Sequence, residues 1–220
     1  MVHISASLLA ADFARMGEDL MRAVRAGVDS FHFDFMDGHY VPNLALTPQH
    51  LRALRPYTDL PFHVHLELSN PDEFLTNFSA MGADLIFLQW DTCSSLMETI
   101  ERVRSQDARI GLAINHGHLL EDIRVHLHLL DALLLLGVEP GFGGQAMDSE
   151  LPGRVTSARG MIDSLDLEVA LAVDGGVKLS NAKTLIDAGA SLLIMGTGLF
   201  EARDLDRIVE QLKSMGSNPH

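Results

Sequence analysis

The chain reads as a single (β/α)8 barrel over residues 1–220, and three observations predict it. Eight short apolar or β-branched runs alternate with longer segments of helical period from one terminus to the other, with no linker between them. Eight such units in 220 residues match the compact end of the barrel range. The competing architecture for repeated βα units, an open doubly wound sheet, lacks its usual G-x-G-x-x-G turn, because Ser7-Leu8-Leu9-Ala10-Ala11-Asp12 closes the first run instead.

Taken in order, the predicted strands are His3–Leu8, Ser30–Phe35, Phe62–Leu66, Leu85–Gln89, Ile110–Ile114, Ala132–Val138, Glu168–Val173 and Leu192–Met195. Between the first two, Phe13, Met16, Leu20, Ala23 and Val24 recur at helical spacing, which predicts a helix over Asp12–Ala26. Asn70-Pro71 is a start signal for a helix over Asp72–Met81. Helices over Ser94–Ser105 and Ser180–Ala188 each open on a serine suited to N-capping. Ala26-Gly27, Met81-Gly82 and Ala188-Gly189 each close a helical segment just before a strand, where glycine supplies a left-handed C-cap.

Composition excludes several classes. The chain is 47% apolar and 21% charged, too hydrophobic for disorder, and Cys93 alone forms no internal disulfide. Its longest apolar run, Ala132–Gly137, is strand-sized, far short of a membrane span. Sixteen Lys plus Arg against thirty Asp plus Glu give a formal charge of -14, which argues against nucleic-acid or anionic-membrane partners. The start, Met1-Val2-His3-Ile4-Ser5, has no basic region or cleavable signal, so a cytoplasmic location is expected.

Barrel enzymes place their chemistry at the C-terminal ends of strands. The second predicted strand carries His32 and Asp34 two residues apart, hence on one face, and the third carries His63, His65 and Glu67 in the same alternation. The seventh ends in Asp174, directly before Gly175-Gly176. Inward-facing imidazoles and carboxylates are costly unless they pair or bind a cation. Two imidazoles and two carboxylates from strands two, three and seven make a site for one divalent ion with room for substrate oxygens. A buried His-Asp hydrogen bond is the plainer reading of His32 and Asp34 taken alone. Glycine-rich turns at Pro140-Gly141-Phe142-Gly143-Gly144-Gln145, Gly175-Gly176 and Gly196-Thr197-Gly198 follow strands six, seven and eight, where barrels bind phosphate through backbone N–H groups and a short helix N-terminus. Such a cradle holds an anion without many lysines, consistent with the charge of -14.

The run from His32 to Asn43 (His-Phe-Asp-Phe-Met-Asp-Gly-His-Tyr-Val-Pro-Asn), with Val64-His65-Leu66, Pro140–Gln145 and Val173-Asp174-Gly175-Gly176-Val177, resembles the ribulose-phosphate 3-epimerase family, and the likeness extends from Ser5 to Phe200. The resemblance implies a metal-dependent (β/α)8 barrel that inverts C3 of a ketose phosphate through an enediolate. It maps His32, Asp34, His65 and Asp174 to the ligands of one divalent ion (Zn, Mn, Fe or Co, with Mg admissible). Asp34 and Asp174 double as the acid/base pair. Ser7, His65, Gly141, Phe142, Gly143, Gly144, Asp174, Gly175, Gly176, Gly196 and Thr197 map to substrate and phosphate contacts. The partner implied is a small sugar phosphate, and homo-oligomers are common in that family.

The match departs at the rim. Where the family commonly has Asp-Val-His-Leu-Met, this chain has His63-Val64-His65-Leu66-Glu67; Gln89-Trp90-Asp91, Asn115-His116-Gly117-His118 and Gly137-Val138-Glu139 also differ. The resemblance implies D-ribulose 5-phosphate as the first substrate reading, and the changed rim admits D-allulose 6-phosphate or another ketose phosphate as the alternative. Phosphate-binding decarboxylases and aldolases need a lysine that none of the predicted strands carries. A non-catalytic sugar-phosphate-binding barrel would not need the full acid/base and ligand set. Glu67 is read three ways: a fifth ligand, a contact to an extra hydroxyl, or a solvent-facing charge, the last carrying most weight. His116, His118, His126 and His128 are read as ordinary surface residues, the methionines as core filling, and Trp90 as a mouth-closing or rim-packing ring.

Overall fold

The computed structural model describes residues 2–75, 78 and 81–216. Eight strands, β1 (His3–Ser7), β2 (Ser30–Met36), β3 (Phe62–Glu67), β4 (Leu85–Gln89), β5 (Arg109–Ile114), β6 (Ala132–Leu136), β7 (Ala170–Asp174) and β8 (Leu192–Met195), close into a barrel in sequence order. Every adjacent pair is parallel, including β1 with β8. Among the described residues the α-helices are α1 (Met16–Ala26), α2 (Pro48–Leu54), α3 (Leu96–Arg104), α4 (Leu151–Ser164), α5 (Leu179–Asp187), α6 (Thr197–Phe200) and α7 (Leu205–Met215). This is the (β/α)8 barrel. Among the described residues no helix is long and apolar enough to cross a membrane.

Period-two alternation divides each strand between two apolar environments. Phe31, Phe33 and Phe35 of β2, and Phe62, Val64 and Leu66 of β3, belong to the layer between barrel and helices, together with Leu20, Leu51, Val103 and Leu212. Each large side chain fully buried there is worth ~1.5–3 kcal/mol. A separate cluster of Leu85, Phe87, Ala113, Leu134, Leu136, Ala172, Leu192 and Ile194 fills the barrel interior from β4 to β8. The interior positions of β1 to β3 are polar instead: Ser5, Ser7, Ser30, His32, Asp34, His63, His65 and Glu67 are all buried. The barrel is thus apolar on one side and lined with hydrogen-bonding groups on the other, and the polar side carries the site.

Gly111 shows how tightly the interior is filled, since a β-carbon there would lie 2.4 Å from Cδ1 of Phe87. The Phe87 ring also meets the rings of His32 and His63, so it has little room to retreat. Gly111→Ala should destabilise the protein by ~1–3 kcal/mol, the usual cost of overpacking; urea denaturation measures it, and an unchanged midpoint would show that Phe87 repacks freely.

Several local expectations are corrected. The segment from Asp12 begins as a 3-10 turn at Phe13–Arg15, and Asp12 caps it by accepting from the Ala14 amide. After β3 a 3-10 turn covers Pro71–Glu73, and residues 76, 77, 79 and 80 of the expected helix lie outside the described residues. Neither serine cap forms. Ser94 donates to Asp72 Oδ2 (2.8 Å) instead, and α5 starts one residue before Ser180, with Asn181 Oδ1 accepting from the Lys178 amide. The glycine C-caps of α1 and α5 do form, Gly27 and Gly189 having φ of 86° and 109°, and Gly82 takes the same left-handed conformation at φ 98°.

Candidate functional site

At the C-terminal halves of β2, β3 and β7, four side chains converge. One donor atom each from His32, Asp34, His65 and Asp174 lies within 4.8 Å of the others, and among the described residues this is the group able to hold a metal ion. His32 Nε2 stands 3.1 Å from Asp34 Oδ1 and 3.7 Å from Asp174 Oδ2. His65 Nδ1 is 3.3 Å from the same Asp34 oxygen, and Ser7 Oγ donates to the other, Asp34 Oδ2, at 3.0 Å. The Gly175 amide donates to Asp174 Oδ1 at 2.7 Å. The alternation of His63 and His65 left open which imidazole joins His32; it is His65. His63 lies deeper, its ring against Phe87, and burial in the first place pushes its pKa down to about 3.

The two carboxylates differ in proton affinity. Burial works to raise Asp34, but the adjacent His32 and the contacts from both imidazoles hold it well below the usual carboxylate range. Burial raises Asp174, with Asp34 adding to it against the pull of His32, so that it sits at about 7. His32 is raised: burial opposes its charge, but Asp34 and Asp174 outweigh that.

These residues suit a divalent cation. Two carboxylates and two imidazoles are a mixed oxygen and nitrogen donor set. His32 Nδ1 is buried without a hydrogen-bond partner, and His32 Nε2 faces only the two carboxylates with which it would share an ion. Gln89, in β4, approaches His65 Nε2 through Nε2 at 3.2 Å, while its buried Oε1 has no partner. Turning that amide over would let Oε1 accept from a protonated His65 Nε2 and leave Nδ1 free as a ligand.

Above the cluster opens a cleft lined by Ser7, Asp34, Glu67, Asp174 and the loops after β6, β7 and β8. The expected contact residues Gly141, Phe142, Gly143, Gly144, Gly175, Gly176, Gly196 and Thr197 all line it, and buried His32 and His65 lie beneath. Gly176, at φ 68°, tolerates no side chain: a β-carbon would fall 2.4 Å from the Met147 amide nitrogen.

Glu67 is not solvent-facing. It is 3% exposed and lines the cleft, and burial, then Asp34 and Asp174, raise its pKa well above the usual value. Its parity with His63 and His65 was the available signal, since all three share one face of β3. Other contacts around the cleft were not anticipated. Asp37 accepts from the amides of His39 (2.8 Å), Tyr40 (2.9 Å) and Ser69 (2.8 Å) and from Ser69 Oγ (2.7 Å), tying the loop after β2 to the loop after β3. Asn43 Nδ2 donates to the Gly141 carbonyl at 2.7 Å. Tyr40 Oη donates to Asp91 (3.1 Å) and accepts from Asn115 Nδ2 (2.9 Å). His118 stands 3.7 Å from Asp91 and His116 3.3 Å from Glu139, so these histidines join rim loops to one another. Trp90 packs at the rim near the His126 ring, and burial raises the Cys93 thiol to about 11, which suits no nucleophile.

Fold and site together define a (β/α)8-barrel enzyme with a candidate metal centre under a glycine-lined cleft. Residues 3–200 match the Ribulose-phosphate 3 epimerase family. The "Ribulose-phosphate 3-epimerase" of Escherichia coli (strain K12) is 35% identical over 212 residues, 96% of this chain and 94% of that one. Its namesake from Bacillus subtilis (strain 168) is 33% identical over 214 residues, 97% and 99% of the two chains. Among solved structures, orotidine 5'-phosphate decarboxylase from Pyrococcus horikoshii OT3 superposes with a TM-score of 0.68 at 14% identity, over 98% of this chain and 100% of that one, a likeness of fold alone. The chain belongs to the ribulose-phosphate 3-epimerase family and is an isomerase.

Proposed function

We propose that this enzyme inverts C3 of a ketose phosphate through an enediolate, converting D-ribulose 5-phosphate to D-xylulose 5-phosphate. The observation that carries the reading is the convergence of two carboxylates from separate strands, Asp34 of β2 and Asp174 of β7, on one four-donor cluster beneath the cleft. The ribulose-phosphate 3-epimerases of Escherichia coli and Bacillus subtilis that the chain resembles suggest the sugar.

Inverting a carbon acid requires a base on one face of the reacting carbon and an acid on the other, so one carboxyl group cannot suffice. In this reading Asp34, fixed by Ser7, and Asp174, fixed by the Gly175 amide, flank C3, one taking its proton and the other delivering one to the opposite face. The sugar's C2 and C3 oxygens face the His32, Asp34, His65 and Asp174 cluster, which would hold a divalent ion. When bound, such an ion supplies stabilisation of the negative charge developing on those oxygens. Backbone around Gly143-Gly144, Gly176 and Gly196-Thr197 receives the phosphate, and that remote contact orients the reacting carbon.

The test is solvent exchange. In deuterated water the metal-loaded enzyme should place deuterium at C3 of D-ribulose 5-phosphate while forming the epimer, read by NMR. D-Allulose 6-phosphate and other ketohexose phosphates run as parallel arms, because Glu67 and Glu139 line the cleft at positions that differ from the family's pattern. Absence of label with every sugar would overturn the reading, and label with a hexose phosphate alone would reassign the substrate.

A further inference from the structure

Glu67 ends β3 with its side chain 3% exposed, and its Oε2 is buried without a hydrogen-bond partner. A buried carboxyl oxygen left unpaired is unfavourable, so a fold that keeps one there lacks a partner that the functioning molecule supplies. Among the described residues nothing hydrogen-bonds that oxygen, and the Tyr40 hydroxyl, which senses this carboxyl, donates to Asp91 instead. The Gly141 amide is the one backbone hydrogen bond acting on this carboxyl, the nearby charges are the like-signed Asp34 and Asp174, and neither lysine nor arginine lines the cleft. The four donors that could hold an ion converge without Glu67. Its place in the cleft wall, beside those donors, is where a ligand's carbon chain would pass.

We propose that Glu67 is a specificity-determining residue whose Oε2 exchanges a hydrogen bond with one of the two ketose hydroxyls flanking the reacting carbons, at C1 or C4. This rests on the epimerase reading above, in which the C2 and C3 oxygens face the four-donor cluster. The glycine loops after β6, β7 and β8 line the same cleft and offer the backbone donors a phosphate needs, so a hydroxyl held by Glu67 fixes which way round the sugar lies. The Gly141 amide acts on this carboxyl, and Asn43 Nδ2 donates to the Gly141 carbonyl, so the loop after β6 borders this corner of the cleft.

A cycle between protein and ligand tests this. Steady-state kinetics of wild type, Glu67→Gln and Glu67→Met are compared on D-ribulose 5-phosphate and on its 1-deoxy and 4-deoxy analogues. In the wild type, one analogue should lose about tenfold or more in kcat/KM, chiefly through KM, as expected for a site left with an unpaired polar group. Glu67→Met should treat that analogue and the parent alike within about twofold, with Glu67→Gln intermediate because its amide still hydrogen-bonds. If Glu67→Met fails to fold by circular dichroism, Glu67→Gln carries the same cycle, with discrimination reduced at least about threefold. An active wild type whose discrimination survives both substitutions, or which ignores both deoxy positions, would overturn the assignment of Glu67 alone. A wild type that labels no ketose phosphate at C3 overturns the epimerase reading and this inference with it.

Discussion

Asp174→Asn should lower turnover by about 10³-fold or more while the protein still folds. An asparagine amide is isosteric with the carboxylate but neither takes nor delivers a proton, so inversion loses one of its two partners. Its Oδ1 can keep the Gly175 amide hydrogen bond, and its side chain is already 21% accessible, so the fold has little reason to respond. A sharper signature follows from the division of labour. Asp34, held in its ionised form, still faces C3 from its own side. The variant should therefore exchange the C3 proton of one epimer with deuterated solvent without forming the other, while the second epimer exchanges nothing. Thermal melting checks the fold, and elemental analysis checks that the metal content survives, since Asp174 is also a candidate ligand. Turnover near wild type would mean that a different group faces C3 from that side.

How far this site was legible in the chain depends on the range of the interaction. Period-two alternation is local, and it placed all eight strands to within about two residues; β6 and β7 differ most because their ends are set by mutual register, with Ala132 opposite Ala170 and Leu136 opposite Asp174. The same alternation put His32, Asp34 and His65 on inward faces, and the end of an apolar run before two glycines marked Asp174. Alternation also put Glu67 inward, but a charge at a strand end is so often solvated that parity lost to composition. Hydrogen bonds between loops leave no such trace. Ser94 is spent on Asp72, 22 residues away, rather than on its own helix, and Tyr40 reaches Asp91 and Asn115 across three loops. Nor could spacing show that Gln89 backs His65, because that contact exists only once β3 and β4 are in register.

The contact from Gln89 yields the second large effect. Stripping divalent metal with a chelator should abolish turnover, and adding back Zn, Mn, Fe or Co should restore it. Site-specific evidence comes from Gln89→Leu, which should weaken metal affinity about 10–100-fold, the usual cost of losing a residue that orients a ligand. Without that amide, nothing described on the far side of His65 fixes which ring nitrogen is protonated, and a proton on Nδ1 blocks ligation. Affinity should also depend on pH in a stated direction. Before metal binds, His32 holds its proton more tightly than an ordinary histidine, and Asp174 titrates at about 7. Both must be unprotonated to ligate, so binding releases protons; affinity rises as pH increases through about 7 and falls as pH drops below it. Chelator-competition titrations at about pH 6 and pH 8, on wild type and Gln89→Leu, measure both effects. Equal affinities at the two pH values, or a leucine variant that binds metal as well as wild type, would mean that the ion is held by something other than this buried cluster.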